Sequence, residues 1–253
     1  MLITDPWFYC AAIPAVLILG ISKAGFGSAF GSLAVPLIAL TVTVPQATAV
    51  LLPSLLVMDA LGLRAYWQKA DWRLLKRILP AGLFGIGLGW ALFTSIQPKI
   101  VGGLVGCTAI GFVALRSWQA RQAKSLGERP AYTAPIWVAW LCSAASGFTS
   151  FVAHAGGPPL AIYTVPQKLS PVVFAATMTV FFAVINLSKL VPYATLGLLS
   201  LENMATALVL ACFAPIGNWI GLRIATRIDI AVFYRVVTVA LFLSGSKLIY
   251  DAF

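Results

Sequence analysis

Two glycine-rich segments of this sequence combine residue types that can hold an anion. Glycine lets the backbone leave helical geometry, and a helix that restarts after such a break presents unpaired N–H groups and a positive dipole end. Two such ends brought together would form a central anion site. Residues 22–36 and 146–159 supply its candidate ligands, which are Lys23, Gly25, Gly27, Ser28, Gly31 and Ser32 in the first segment and Ser150, His154, Gly156 and Gly157 in the second.

Polar side chains in the apolar stretches add to these candidates, because an ionisable group inside a membrane usually faces a cavity. His154 is the only histidine, and it could donate to an anion or carry a proton, since the charge of histidine changes near neutral pH. Asn186 and Lys189 are one helical turn apart and share a face, so both join the substrate-binding candidates. Asp59 matches Asn186 in the internal repeat described below. We therefore assign coupling to His154 and Asp59.

Each charged candidate also has a structural interpretation. Lys23 could extend its long side chain to the cytoplasmic surface. His154 could be a hydrogen-bonded residue of the core, and Asp59 could pair with a lysine or an arginine. The sequence leaves these alternatives open.

The composition predicts the elements that position these residues. Of the 253 residues, 60% are hydrophobic and 9% are charged, and the mean hydropathy is +0.95. Soluble domains carry about 25% charged residues, so a water-soluble fold is excluded. Because one crossing takes about 20 residues, we expect an all-α polytopic membrane protein with about 8–10 transmembrane segments. The glycine-rich segments would be broken or re-entrant helices, which are tolerated at membrane depth when they lie inside the protein.

Four short sequence patterns occur in the same order in both halves of the chain. Together they predict two membrane repeats, residues 1–116 and 134–253, joined by a cytoplasmic linker at residues 117–133. The patterns are a Gly-Phe pair in or before each glycine-rich break, Val-Pro-Gln at 44–46 and 165–167, Val-Met-Asp at 57–59 against Val-Ile-Asn at 184–186, and Gly-x-x-x-Gly at 85–89 and 217–221. We interpret the glycines of the last pattern as sites of close helix packing, because they lie in regular apolar spans.

The basic residues indicate that the two repeats have inverted topology. Cytoplasmic loops are enriched in Lys and Arg, and 12 of the 17 such residues fall within residues 64–77, 116–129 and 223–235. The loop at 193–202, which the repeat matches with 64–77, has no Lys or Arg. Basic and non-basic loops thus exchange between the halves, which predicts both termini outside and the three basic loops in the cytoplasm. The formal net charge of +10 is accordingly a topology signal, and no nucleic-acid partner is predicted.

The two breaks also carry a family resemblance. Each runs into a proline-containing helix start, Val35-Pro36-Leu37 in the first half and Pro158-Pro159-Leu160 in the second. In this respect the chain resembles the sulfite exporter TauE/SafE family of membrane transporters, over essentially its whole length. The resemblance implies a multi-pass protein of the bacterial inner membrane that moves sulfite, sulfonates, thiosulfate or related small organic anions.

A secondary transporter is the function that the sequence favours, because inverted repeats with central breaks suit alternating access. The alternatives are a passive anion channel and a membrane subunit of a larger assembly. No catalytic motif is found, and one histidine cannot build a histidine-based metal site, so neither an enzyme nor a cofactor is predicted. The expected partners are the small anion, the lipid bilayer, and protons or another coupling ion. Self-association into a homo-oligomer stays open.

Overall fold

Helices form all of the regular secondary structure in the computed structural model, which describes residues 2–26, 31–93, 97–126, 131–224 and 230–253. Three short 3-10 turns occur at Gly31–Leu33, Trp67–Lys69 and Val165–Gln167. The predicted all-α polytopic class is confirmed. In chain order the α-helices of the described residues are α1 (Pro6–Phe26), α2 (Ala34–Ile38), α3 (Val44–Tyr66), α4 (Trp72–Phe93), α5 (Pro98–Leu126), α6 (Ile136–Ala153), α7 (Gly157–Thr164), α8 (Pro171–Ser188), α9 (Leu190–Thr195), α10 (Leu201–Ala211), α11 (Ala214–Ile224) and α12 (Ile230–Ala252).

Six candidate membrane spans are found in the described part of the chain, judged by helix length and composition. By contrast, α2 has five residues and α7 has eight, so neither is long enough to cross a bilayer. Both follow a glycine-rich segment, and both bury part of their surface inside the protein. The total of 8–10 crossings stays a prediction. The six candidate spans are Pro6–Lys23, Val44–Lys69, Trp72–Phe93, Ile136–Ala153, Pro171–Thr195 and Leu201–Gly221.

Short polar side chains start several of these helices. The Thr43 hydroxyl accepts a hydrogen bond from the Gln46 N–H at the start of α3, and Pro45 follows in the first turn. At the start of α8, Ser170 accepts in the same way from Val173. These side chains satisfy N–H groups that have no partner inside the helix, and proline fits the first turn because it has no N–H to lose.

The helix packing follows a symmetric pattern. In the described structure α1 packs on α11, α4 packs on α6, and α5 packs on α12, while α3 contacts both α8 and α10. The predicted repeat would match α1 with α6 and α4 with α10–α11. Under this match, the α1–α11 pair of helices corresponds to the α6–α4 pair. That relation is what two structural repeats would produce, and the inverted repeat itself stays a prediction.

Glycine permits the close approach of the paired helices. A Cβ atom added to Gly85 of α4 would lie 2.0 Å from the backbone oxygen of Ala144 in α6, and one added to Gly147 would lie 1.9 Å from the oxygen of Gly82. On the α1–α11 pair, a Cβ added to Gly217 would lie 2.9 Å from the oxygen of Leu17. The packing interpretation of Gly85 and Gly217 is therefore confirmed, as expected where small residues bring membrane helices together.

The polar connection at residues 117–133 differs from a simple linker. The backbone continues α5 as a helix to Leu126. Residues 118–124 read Trp-Gln-Ala-Arg-Gln-Ala-Lys, and most of these types have high intrinsic helix propensity, so a polar stretch can extend a membrane helix into water. The repeat boundaries on either side of this connection stay predictions.

Reporter fusions test the predicted topology. A compartment-sensitive reporter placed after Arg121 is expected to report the cytoplasm, and the same reporter after Phe253 is expected to report the outside. The reason is the exchange of basic loops between the halves. If both fusions report the same compartment, the inverted topology is wrong.

Candidate functional site

A buried polar cluster lies where the C-terminal ends of three helices approach α3. Lys23 is in the last turn of α1, His154 follows the end of α6, and Lys189 follows the end of α8. Lys189 and Asp59 of α3 are 0% and 2% exposed. Helix C-termini carry partial negative charge, which stabilises cations placed there. The fold thus supplies three helix ends that help to hold basic side chains inside the protein.

Lys189 is the centre of this cluster. Its Nζ atom lies 2.8 Å from Ser150 Oγ, 2.9 Å from Asn186 Oδ1 and 2.9 Å from His154 Nδ1. An ammonium group has three donors, and these three contacts use all of them. The predicted shared face of Asn186 and Lys189 is confirmed by their hydrogen bond.

Asp59 connects the two lysines of the cluster. One carboxylate oxygen forms an ion pair with Lys23, and the other accepts a hydrogen bond of 2.7 Å from the Asn186 side-chain amide. The pairing alternative for Asp59 is therefore confirmed. The Lys23 side chain is only 10% exposed, so it points into the protein and does not extend to the surface. Asp59 and Asn186, which would occupy matching positions in the predicted repeat, contact each other directly.

His154 holds its place through both ring nitrogens. Its Nε2 atom lies 2.9 Å from the backbone oxygen of Thr48, which can only accept a hydrogen bond, so this nitrogen carries a hydrogen. Nδ1 is then free to accept from Lys189. The His154 backbone has a φ of 51°, a left-handed conformation that costs about 1–2 kcal/mol for a residue other than glycine. A residue in this conformation is a common way for a helix to end, and here it ends α6.

The cluster has more basic than acidic side chains. Within the described structure, two lysines face one aspartate, and the imidazole contacts assign a neutral ring. Burying a charge is costly unless an opposite charge or several hydrogen bonds compensate it. Asp59 compensates one lysine, and the other has hydrogen bonds but no second carboxylate. An anion is the ligand that such a cluster can bind.

A small cavity lies against this cluster. Its volume is about 20 Å³, which is room for about one water molecule. An oxyanion of several heavy atoms requires the cavity walls to separate, so the described conformation is closed. The walls are formed by Leu19, Lys23, Leu55, Ser150, His154, Gly157, Phe182 and Asn186.

The other described candidates from the first glycine-rich segment are not among the walls of the small cavity. Gly25 belongs to the last turn of α1, and Gly31 begins the 3-10 turn before α2. Ser32 lines a different, larger cavity. Gly27 and Ser28 lie outside the described residues. Of the described candidates in this segment, only Lys23 lines the small cavity.

Gly156 and Gly157 lie at the start of α7, beside the cluster. The Gly156 backbone oxygen accepts a hydrogen bond of 2.6 Å from Ser146 Oγ, and a Cβ added to Gly156 would lie 2.7 Å from the Ser146 backbone oxygen. Pro158 and Pro159 have no N–H group. The N–H groups that the first turn of α7 can offer an anion are therefore mainly those of Gly156 and Gly157.

Two further residues shape the cluster and were not predicted. The Tyr193 hydroxyl donates to the Phe151 backbone oxygen at 2.7 Å, and its ring packs edge-on against the Phe151 ring at 5.2 Å. Tyr193 follows Lys189 by one helical turn. Continuing the helical face shared by Asn186 and Lys189 by one more turn would therefore have found it. Thr48 contributes a backbone oxygen, which no pattern of side chains reveals.

The comparisons with known proteins identify the family of the chain. The family model described as Sulfite exporter TauE/SafE matches residues 12–248, a range that contains both breaks and every residue of the buried cluster. No curated protein and no solved structure matches the chain. Because the family model covers nearly the whole sequence, this chain belongs to the sulfite exporter TauE/SafE family of membrane transporters.

Proposed function

We propose that this protein is a secondary transporter that moves a small anion of the sulfite, sulfonate or thiosulfate class across the bacterial inner membrane. The anion binds in the cavity lined by Lys23, Ser150, His154, Gly157 and Asn186. Lys189 lies directly behind this wall and supplies the charge that Asp59 leaves uncompensated. Asp59 holds Lys23 and Asn186 in place until the anion arrives.

The observation that carries this proposal is the buried excess of basic over acidic side chains, which a bound anion would balance. Lys189 is 0% exposed, and the carboxylate of Asp59 reaches it only through the Asn186 amide. A bound oxyanion can accept charge-assisted hydrogen bonds from Lys23 and from Ser150, which line the cavity, and such bonds are stronger than neutral ones. Sulfur oxyanions suit the site because their several oxygens can accept from donors on different helices.

The closed cavity favours a transporter over a channel. A cavity of about 20 Å³ holds no hydrated anion, so the site must open before each binding event. Opening and closing once per transported molecule is the behaviour of alternating access, in which one bundle rocks against the other around a central site. A channel would need a continuous open path through the same helices.

We further propose that the Lys189–His154 pair carries the coupling proton, with Asp59 as its charged neighbour. The hydrogen bond between Lys189 Nζ and His154 Nδ1 needs a hydrogen on one nitrogen and a lone pair on the other. Both groups cannot be fully protonated while this bond persists. The pair thus holds one shared proton whose loss removes the positive charge from behind the anion.

Flux into proteoliposomes that contain the purified protein tests the proposed function. We expect saturable uptake of at least one of sulfite, thiosulfate and methanesulfonate, driven by an imposed ion gradient. Chloride at the same concentration is the control anion. Passive flux that does not saturate would favour the channel, and no flux from purified protein would favour a subunit of a larger assembly.

The pH dependence of flux tests the coupling role of His154. Thiosulfate or methanesulfonate is the suitable substrate, because its own charge does not change between about pH 5.5 and 8. We expect apparent affinity to fall as pH rises in the wild type, and this dependence to be lost in His154→Gln. Glutamine supplies one donor and one acceptor, as neutral imidazole does, but it takes no proton in this range. An unchanged pH profile in His154→Gln would assign the proton to another group.

A further inference from the structure

A second cavity lies on the opposite side of the α6–α7 break from the small anion cavity. Its volume is about 320 Å³. Ala153, Ala155 and Pro158 line this larger cavity, whereas His154 and Gly157 line the smaller one. Neighbouring residues of one short segment therefore face two different cavities. Nothing in the anion proposal uses the larger one.

The walls of the larger cavity are almost entirely apolar. They come from α2, α5, α6 and α7 and from the short segments before α2 and α7, and include Val105, Phe112 and Pro159. Ala145 and Ile162, which also line it, are exposed on the protein surface. Ala145 lies in the middle of the candidate span Ile136–Ala153, so this edge of the cavity faces the hydrocarbon of the bilayer. An apolar molecule dissolved in the membrane can enter there.

One polar group inside this cavity lacks a partner. Ser32 is 4% exposed, and among the described residues its hydroxyl oxygen has no hydrogen-bond partner. A buried hydroxyl without a partner is unfavourable and uncommon in folded proteins. A ligand that carries one hydrogen-bonding group would satisfy it.

We propose that the cavity binds a small apolar molecule with one hydroxyl group, and that this molecule stabilises the described conformation of the α6–α7 break. An apolar cavity of about 150 Å³ is large enough for benzene, so a cavity twice that size fits two fused rings. Apolar lining with a few polar groups is the usual chemistry of small-molecule sites. The ligand's rings contact the apolar walls, and its hydroxyl hydrogen-bonds to Ser32.

Thermal unfolding of the purified protein with 2-naphthol tests this proposal. Binding to the folded state raises the unfolding temperature, and the rise increases with the ratio of ligand concentration to Kd. We expect 2-naphthol to raise it, and naphthalene to bind about fivefold more weakly because it cannot form the hydrogen bond. In Ser32→Ala the two compounds are expected to bind equally. Absence of any shift with 2-naphthol would overturn the proposal.

Matched variants on α6 separate cavity binding from partition into detergent. Ala145→Phe places a ring at the cavity mouth and is expected to abolish the shift. Leu141→Phe, one turn earlier at a position that is 62% exposed and does not line the cavity, is expected to keep it. Thr108→Leu fills part of the cavity from α5 and is also expected to abolish the shift. This variant replaces Ala145→Phe in the test if Ala145→Phe does not fold. Equal shifts in the wild type and all three variants would show that the compound acts through the detergent.

Discussion

Replacing Lys189 with glutamine is expected to abolish anion binding while leaving a folded protein. The variant keeps the ion pair between Lys23 and Asp59, so no uncompensated charge remains buried, but the excess positive charge is gone. Losing one partner of a buried charge contact costs about 2–5 kcal/mol, which lowers affinity by at least about 30-fold. Glutamine can still donate to Ser150 Oγ or to Asn186 Oδ1, so the packing changes little. Transport of thiosulfate in proteoliposomes is the measurement.

Lys247→Gln is the matched control for this variant. Lys247 forms an ion pair of 2.8 Å with Asp251, and both side chains are about half exposed. Exposed ion pairs contribute little because water screens them, so transport and stability are expected to match the wild type. If Lys189→Gln transports as fast as Lys247→Gln, the buried charge does not bind the anion.

The second large effect is expected at Gly85, where even alanine does not fit. Its Cβ would lie 2.0 Å from the Ala144 backbone oxygen, so α4 and α6 must separate along their whole contact. Overpacking of this kind costs about 1–3 kcal/mol, and a backbone clash is at or above the upper end of that range. Because α6 ends at the cluster that holds His154, anion binding is expected to weaken together with stability. Thermal unfolding of the purified Gly85→Ala variant measures the first effect.

Gly87→Ala, two residues further along α4, is the control. A Cβ added there has nothing within 4 Å. Alanine in a helix is favoured over glycine by about 0.5–1 kcal/mol, so this variant is expected to unfold at the wild-type temperature or above it. Equal unfolding temperatures for the two alanine variants would contradict the close packing of α4 on α6.

Much of the fold could be predicted because the bilayer imposes strong constraints on sequence. The proline-containing helix starts identified in the sequence, with Pro36 in the first half and Pro158 and Pro159 in the second, lie in the first turns of the observed α2 and α7. Glycine and proline mark such boundaries clearly within apolar runs. The extension of α5 to Leu126 was harder to foresee, because polarity separates membrane from water but does not separate helix from loop.

The cluster was only partly accessible to sequence reasoning. A polar residue in an apolar run is conspicuous, which is why Lys23, Asp59, His154 and Lys189 could be selected. Which of them would touch could not be predicted, because the contacts of Lys23 with Asp59 and of Lys189 with His154 depend on how helices cross in space. The same is true of the left-handed backbone of His154, which follows from how α6 ends.

The most direct test of the anion site is to locate a bound anion crystallographically. Selenite has the shape and charge of sulfite, and selenium gives an anomalous signal that marks its position. We predict one strong anomalous peak between Lys23, Ser150 and Asn186, with the anion oxygens within hydrogen-bonding distance of these side chains, and no peak in crystals of Lys189→Gln. A peak elsewhere in a protein that transports sulfite, or an undiminished peak in Lys189→Gln, would contradict the assignment of the buried cluster as the anion site.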